Sequence, residues 1–208
     1  MSDLDPLADE TRAIYERQAA RYDQTRSRAL FEARWLARFA ASLAPGAHVL
    51  DLGCGTGDPI ARWFMAEGFK VTGDDFANAM LDIARTRWPD GDWRNADMRA
   101  LDLGQHFDGI IAWNSFFHLR PDEQRVCIAQ LAKHLALGAP LMLTVGPRAG
   151  EVSGTVGEDT VYHASLSPAD YATCLEAHGL RLTGFLAEDP EANEHSVLMA
   201  RKDHDQET

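Results

Sequence analysis

"VLDLGCGTGDP", residues Val49 to Pro59, is an apolar run that reaches Asp51 and then breaks into three glycines, Gly53, Gly55 and Gly57. A buried strand, a glycine-rich turn and then Asp-Pro read as a strand-to-helix junction. Glycine there permits positive φ and lets a ligand approach the backbone. Asp58 is placed as the N-cap of the following helix and Pro59 as its first residue. A tight turn without a ligand is the plainer reading, but three alternating glycines are more than such a turn needs.

Outward from this junction, short apolar runs alternate with helical patterns. "HVLDL" precedes a helix over 59–67, "KVTGD" a helix over 77–87, and "DWRNAD" and "GIIAW" a helix over 121–137, with "PLMLTVG" closing the series. Near-continuous apolar strands alternating with helices indicate a parallel sheet covered on both faces. Two amphipathic helices are read upstream, over 8–24 and 28–43, with apolar residues at helical spacing. The end of the chain departs from alternation. Residues 147–167 are long and glycine-rich, a helix follows over 168–178, and "LRLTGFL" and "HSVLMARK" read as an antiparallel hairpin. The expected organisation is one structural domain: an amino-terminal helical cover over 1–45, an α/β core over 46–202 with 147–166 as a possible lid, and a frayed tail over 203–208.

The 208 residues are 45% hydrophobic and 25% charged, ordinary for a globular chain, with a formal net charge of −12. That charge disfavours nucleic acid and anionic membrane as partners, because each encounter would begin with repulsion. The acidic beginning does not read as a secretory signal, and no apolar run approaches the ~20 residues of a membrane-spanning helix. Cys54, Cys127 and Cys174 form no Cys-x-x-Cys pair, so the chain reads as cytoplasmic, without zinc or dithiol chemistry. No His/Asp/Glu set has metal-ligand spacing, and no feature sets an oligomeric state.

The charges select the ligand. A pyrophosphate wants free helix amides and no neighbouring anion, whereas Asp51 and Asp58 flank this loop. The spacing is G-x-G-x-G rather than the dinucleotide G-x-G-x-x-G. S-adenosylmethionine, with a sulfonium, an ammonium and no phosphate, gains from carboxylates. The second strand ends at Asp74-Asp75, and Asp75 lies 18 residues after Gly57, near the ~20 at which an acid takes ribose hydroxyls. The third ends in "NADM", putting Asp97 beside an adenine amino group and Met98 against the ring. Ligands of open α/β sheets bind outside the carboxyl ends of the strands, where these acids collect.

"VLDLGCGTG", "VTGDDFANAMLDIAR", "NADMRAL", "FDGIIAWNSFFHL" and "LALGAPLMLTVGP" resemble, in order and spacing, the successive motifs of class I S-adenosylmethionine-dependent methyltransferases. The resemblance covers residues 47–147. It implies a doubly wound, mostly parallel seven-stranded sheet of order 3-2-1-4-5-7-6 with strand 7 antiparallel. It also implies that Asp51, Gly53, Gly55 and Gly57 surround the methionine part, that Asp75, followed by Phe76 and Met80, holds the ribose end, and that Asp97 and Met98 contact adenine. Trp113 and Asn114 would flank the cofactor, and Tyr22, on the cover helix, would either approach it or be a core tyrosine. Asp74 departs from the family, which has an apolar residue there, so the ribose acid is Asp75 or, failing that, Asp74.

Phe116, Phe117 and His118 are expected to begin the acceptor pocket, with one phenylalanine in the core. The Asn-Pro-Pro-Tyr motif of nucleic-acid and glutamine N-methylating relatives is absent, which points to a small acceptor. His118 is the first candidate base, His163 the second, with Tyr162 beside it in the lid; His195 ranks third and His204 is set aside. Aligning acceptor and methyl can supply roughly 7–11 kcal/mol, against ~10²–10⁴-fold from a base, so no histidine need be essential. The rival readings are a non-catalytic S-adenosylmethionine-binding module and a nicotinamide-dependent oxidoreductase.

Overall fold

The computed structural model describes residues 4–203. Nine strands form: β1 (His48–Leu52), β2 (Lys70–Asp75), β3 (Asp92–Asn95), β4 (Gly109–Ala112), β5 (Pro140–Val145), β6 (Gly150–Val156), β7 (Asp159–Ser165), β8 (Leu180–Asp189) and β9 (His195–Lys202). Six helices accompany them: α1 (Asp5–Thr25), α2 (Ala33–Ala40), α3 (Ile60–Ala66), α4 (Asn78–Arg87), α5 (Pro121–His134) and α6 (Pro168–Glu176). Seven strands make one sheet of order β3-β2-β1-β4-β5-β9-β8, in which β9 runs antiparallel to both β5 and β8. With the β6–β7 hairpin set apart, this is the expected 3-2-1-4-5-7-6 order.

Strand alternation divides the core. Leu50, Ile110 and Leu141 face Ile128 and Leu131 of α5 and Tyr171 and Leu175 of α6. Val49, Ile111 and Met142 face Phe39, Phe64 and Leu81 of α2, α3 and α4. Both faces are thereby dry, and the strand ends at the carboxyl edge become the place where polar groups collect.

Two expectations about helices are corrected. The second helix begins at Ala33 rather than residue 28, and Phe31 is left 46% exposed. Arg28 is drawn away to Asp23 and Asp58, and turns over residues 27–31 replace the first helical turn. Asp58 does not cap α3. Its carboxylate accepts from Arg28 Nε at 2.9 Å and lies 3.7 Å from Arg62, while Pro59, reached through a cis peptide bond, occupies the N-cap. A guanidinium outcompetes a backbone amide for that carboxylate because its bond is charge-assisted at both ends.

Above the carboxyl edge lies α1, which buries Ala19 beside Ala77 and Met80 of the α4 entry. Residues 147–166, expected as a lid, form the β6–β7 hairpin. Its tip is clasped to α1 by Arg17 and Gln18 on Asp159 and by Arg21 on Glu158. Its base is fixed by buried Gln124, which donates to the Leu119 and Ala164 carbonyls and accepts from the Tyr171 hydroxyl at 2.6 Å. Such fully satisfied buried networks hold one geometry, because any displacement strands a polar group. Asp203 is tied by its amide to the Gly179 carbonyl; the rest of the expected tail, with His204, lies outside the described residues.

Candidate active site

A cleft of about 220 Å³ opens between α1 and the carboxyl ends of β1, β2 and β4. Of the residues singled out in the sequence, Tyr22, Asp51, Gly53, Gly55, Asp75, Phe76, Met80, Asp97, Met98, Trp113, Asn114 and His118 line it, as does Asp74. Gly57, Tyr162 and His163 do not.

The glycines act differently from one another. Gly53 has φ +73°, and a Cβ there would lie 2.3 Å from that of Ser115, so the loop passes too close to the β4 exit for any side chain. Ser115 completes that contact by donating to the Leu52 carbonyl. Gly55, at φ +56°, lies under the Tyr22 ring. Gly57 faces Trp93 and Trp88 instead and serves packing. Asn114 holds a left-handed φ of 57°, rare for a side-chain-bearing residue, and its Oδ1 is buried without a partner. Strain and an unmet acceptor at a cleft wall mark a functional position.

Four carboxyls lining the cleft are buried; Asp58 is paired with Arg28, which leaves Asp51, Asp74 and Asp75. Asp51 is 2% exposed, and burial pushes its pKa up to about 7 against the opposing Arg26 charge, with Asp75 raising it further; the Ala61 amide of α3 also faces it. That amide is thus taken by Asp51, where Asp58 had been expected. Asp75 accepts from the Gly55 and Ala77 amides at 2.9 and 2.8 Å, yet burial still lifts its pKa to about 6. Asp74 is raised well above normal by burial and by Asp75 beside it. A carboxyl that ionises near pH 6 rather than near 4 costs the folded protein about 3 kcal/mol at neutral pH. Such a cluster is relieved by a bound cation. Among the described residues no His, Cys, Asp or Glu group assembles as a metal cage. The sulfonium and ammonium of S-adenosylmethionine fit this demand, with Arg26 beside Asp51 for a carboxylate.

At the opposite end, Phe76, Ala96 and Met98 offer an apolar slot suited to adenine. Asp97 is engaged by Arg99, which bonds both its carboxylate oxygens and reaches Glu123, so the pair is oriented before any ligand arrives. The wall facing α1 holds a second feature. His118 Nδ1 lies 2.8 Å from the Tyr162 carbonyl and must donate to it, leaving Nε2 to accept from the Tyr15 hydroxyl at 2.8 Å. Burial lowers the His118 pKa to about 4, so the ring is neutral. His163 packs behind it with its ring tilted, 5.0 Å from His118 and 4.6 Å from Phe117, while Phe116 is the core phenylalanine. Tyr162 thus meets the site through its carbonyl.

Tyr15, Arg26 and Arg99 escaped the sequence reading. Tyr15 lies seven residues before Tyr22 on the same helix, two turns apart, which was the available signal.

Residues 49–138 match a family model described as methyltransferase domain. The motif resemblance, over residues 47–147, contains this stretch. A dTDP-4-amino-2,3,4,6-tetradeoxy-D-glucose N,N-dimethyltransferase of Saccharopolyspora spinosa is 37% identical over 92 residues, 43% of this chain and 36% of its own. A demethylmenaquinone methyltransferase of Renibacterium salmoninarum is 30% identical over 145 residues, 67% of this chain and 60% of its own. The chain spans 36% to 39% of the first three curated relatives it matches. Among solved structures, a Burkholderia thailandensis 1,6-didemethyltoxoflavin-N1-methyltransferase aligns with TM-score 0.75 at 19% identity, covering 98% of this chain and 92% of its own. CalS10, an amino pentose methyltransferase from Micromonospora echinaspora, aligns at 0.69 and 22%, covering 89% and 96%. These structures share the fold.

The raised carboxyls set a pH dependence. In the free fold Asp51 and Asp75 keep protons up to about pH 7 and 6, whereas unfolded they would release them near 4; a bound cation favours the ionised forms. Affinity for S-adenosylmethionine, whose own amino group stays protonated below about 7.7, should therefore rise between about pH 5.5 and 7.5. Calorimetric titration checks this; affinity that is flat or falls with pH would show the carboxyls to be ionised already.

Proposed function

We propose that the chain is an S-adenosylmethionine-dependent methyltransferase acting on a small-molecule acceptor. The observation that carries this reading is the set of buried, under-compensated carboxyls around a glycine loop at the carboxyl edge of the sheet. It suits a cationic cofactor and opposes a pyrophosphate, which disfavours the nicotinamide reading. Sugar N-methyltransferases and O-methyltransferases are among the proteins this chain is similar to, so amine- and hydroxyl-bearing small molecules are the acceptors of choice. The half-buried or buried free thiols accord with a cytoplasmic setting, and no described helix is long and apolar enough to cross a membrane.

When bound, the cofactor supplies an electrophilic methyl on an activated sulfonium leaving group. The chain's residues do the rest. Asp51, Arg26 and Asp75 hold and orient it, while α1 and the hairpin exclude water. Tyr15 lines the cleft, with its hydroxyl proton committed to His118 Nε2. A proton released by the acceptor can pass to Tyr15 as the tyrosine proton moves to His118. An imidazole with a pKa near 4 is a weak base at neutral pH, so this pair chiefly positions the acceptor, and alignment carries most of the barrier. The β6–β7 hairpin, clasped to α1, is the lid over that acceptor.

A metabolite screen should find an acceptor that gains one methyl group in a cofactor-dependent manner; transfer of hydride to a nicotinamide, or binding without turnover, would replace this reading. On the acceptor so found, His118→Asn should keep the maximal rate within about tenfold. A loss of ~10²–10⁴-fold with unaltered cofactor affinity would make His118 the general base.

Lid behaviour has a separate readout. Amide exchange across residues 150–165 should slow when an acceptor analogue is added to the cofactor complex. Exchange identical in the free protein, the cofactor complex and the ternary complex would make the hairpin a fixed wall.

A further inference from the structure

Asp74 is a polar group in the cleft that the preceding account leaves unused. It stands opposite Leu52 in the β1–β2 register, one residue before Asp75. Successive strand residues point to opposite faces. Asp75 turns to the Gly55 and Ala77 amides; Asp74 turns towards the apolar face that holds Leu52 and Cys127, whose thiol feels its charge. An aliphatic residue would suit this position.

The carboxyl found there is 1% exposed and lines the cleft, and its Oδ1 has no hydrogen-bond partner among the described residues. The groups facing it are the Asp75, Asp51 and Asp97 carboxyls and the Gly53 amide. Among the described residues no guanidinium, ammonium or imidazole forms an ion pair with it. Asp51 has Arg26 nearby and Asp75 has two amides, so Asp74 is the least compensated of the three. In the free protein this is a net cost, because a buried polar atom without a partner gives up its hydration for nothing. Protonation eases that cost in the free protein, and positive charge entering the cleft favours the ionised form instead.

Methyl transfer removes such a charge. The bond from sulfur to the methyl carbon breaks, sulfur keeps its electron pair and becomes a neutral thioether, and the acceptor's lone pair forms the new bond. We propose that Asp74 is a specificity-determining residue that makes the cleft distinguish cofactor from spent cofactor by charge, strengthening the hold on the sulfonium and loosening it on the thioether. This rests on the cofactor assignment above. It adds a residue and a consequence, faster clearance of product from the cleft.

The test compares affinities for S-adenosylmethionine and S-adenosylhomocysteine in the wild type, Asp74→Asn and Asp74→Val by calorimetry at pH 7.5. Asparagine keeps the shape and removes the charge; valine restores the apolar residue the position suits and removes the unmatched oxygen. Both variants should lower the ratio of the two affinities by about tenfold or more, the size of one incompletely screened attraction between opposite charges. The sulfonium ligand should weaken while the thioether stays level or tightens. An unchanged ratio overturns the proposal, as does loss of folding in both variants, which would make Asp74 structural. Wild-type protein that binds neither ligand would instead overturn the cofactor assignment beneath it.

Discussion

Carboxyls buried at the ends of adjacent strands, with too few cations to balance them, are the constraint on which this molecule turns. Asp51 is the penultimate residue of its strand beside the glycine loop, and Asp74 and Asp75 end the next; Arg26 is the cation set against Asp51. Burying anions this way is tolerable only as protonated acids or with a cationic ligand. The remainder of the architecture keeps that cluster dry and near-closed. The sheet delivers the acids, α1 roofs them with Tyr15 and Tyr22, and the hairpin braces α1 from outside through Asp159.

The same roof links cofactor and acceptor sites. Tyr15 belongs to α1, His118 to the turn after β4, and the carbonyl that fixes the His118 tautomer to β7. One chain of hydrogen bonds therefore crosses three elements distant in sequence. Moving α1 or the hairpin would unmake the acceptor wall and uncover the carboxyls together, so binding and closure are coupled by construction. The exposed ion pairs at the hairpin tip contribute little to stability singly; their service is to set register between α1 and the hairpin.

Much of this was legible in the sequence, and for an identifiable reason. The glycine loop, the acids at 51, 75 and 97 and the strand order are encoded locally, by strand ends that a parallel sheet must bring to one edge. Phe116 and Phe117 divided as expected because a helix start at Pro121 left room for only one in the core. What escaped depends on partners across the fold. Asp58 carries a good cap signature, but Arg28, thirty residues earlier, reaches it first. The first turn of the second helix is lost to the same arginine. Tyr15 shows no motif until His118 arrives from a hundred and three residues away. Tyr162 and His163 were drawn towards the acceptor by residue type, but strand pairing with β6 placed one as a carbonyl and the other as a second layer. Asp97 was read from the sequence, but Arg99, two residues on and bonded to its carboxylate, was not.

The claim that the free fold stores under-compensated carboxyls is most directly measured by carbon-13 NMR titration of the aspartate side chains, before and after adding S-adenosylmethionine. In the free protein the Asp51 and Asp75 carboxyl resonances should titrate near pH 7 and 6, and both transitions should move down by at least about one pH unit in the complex. Resonances that already titrate near the ordinary value of about 4 in the free protein, and do not respond to the cofactor, would contradict the account.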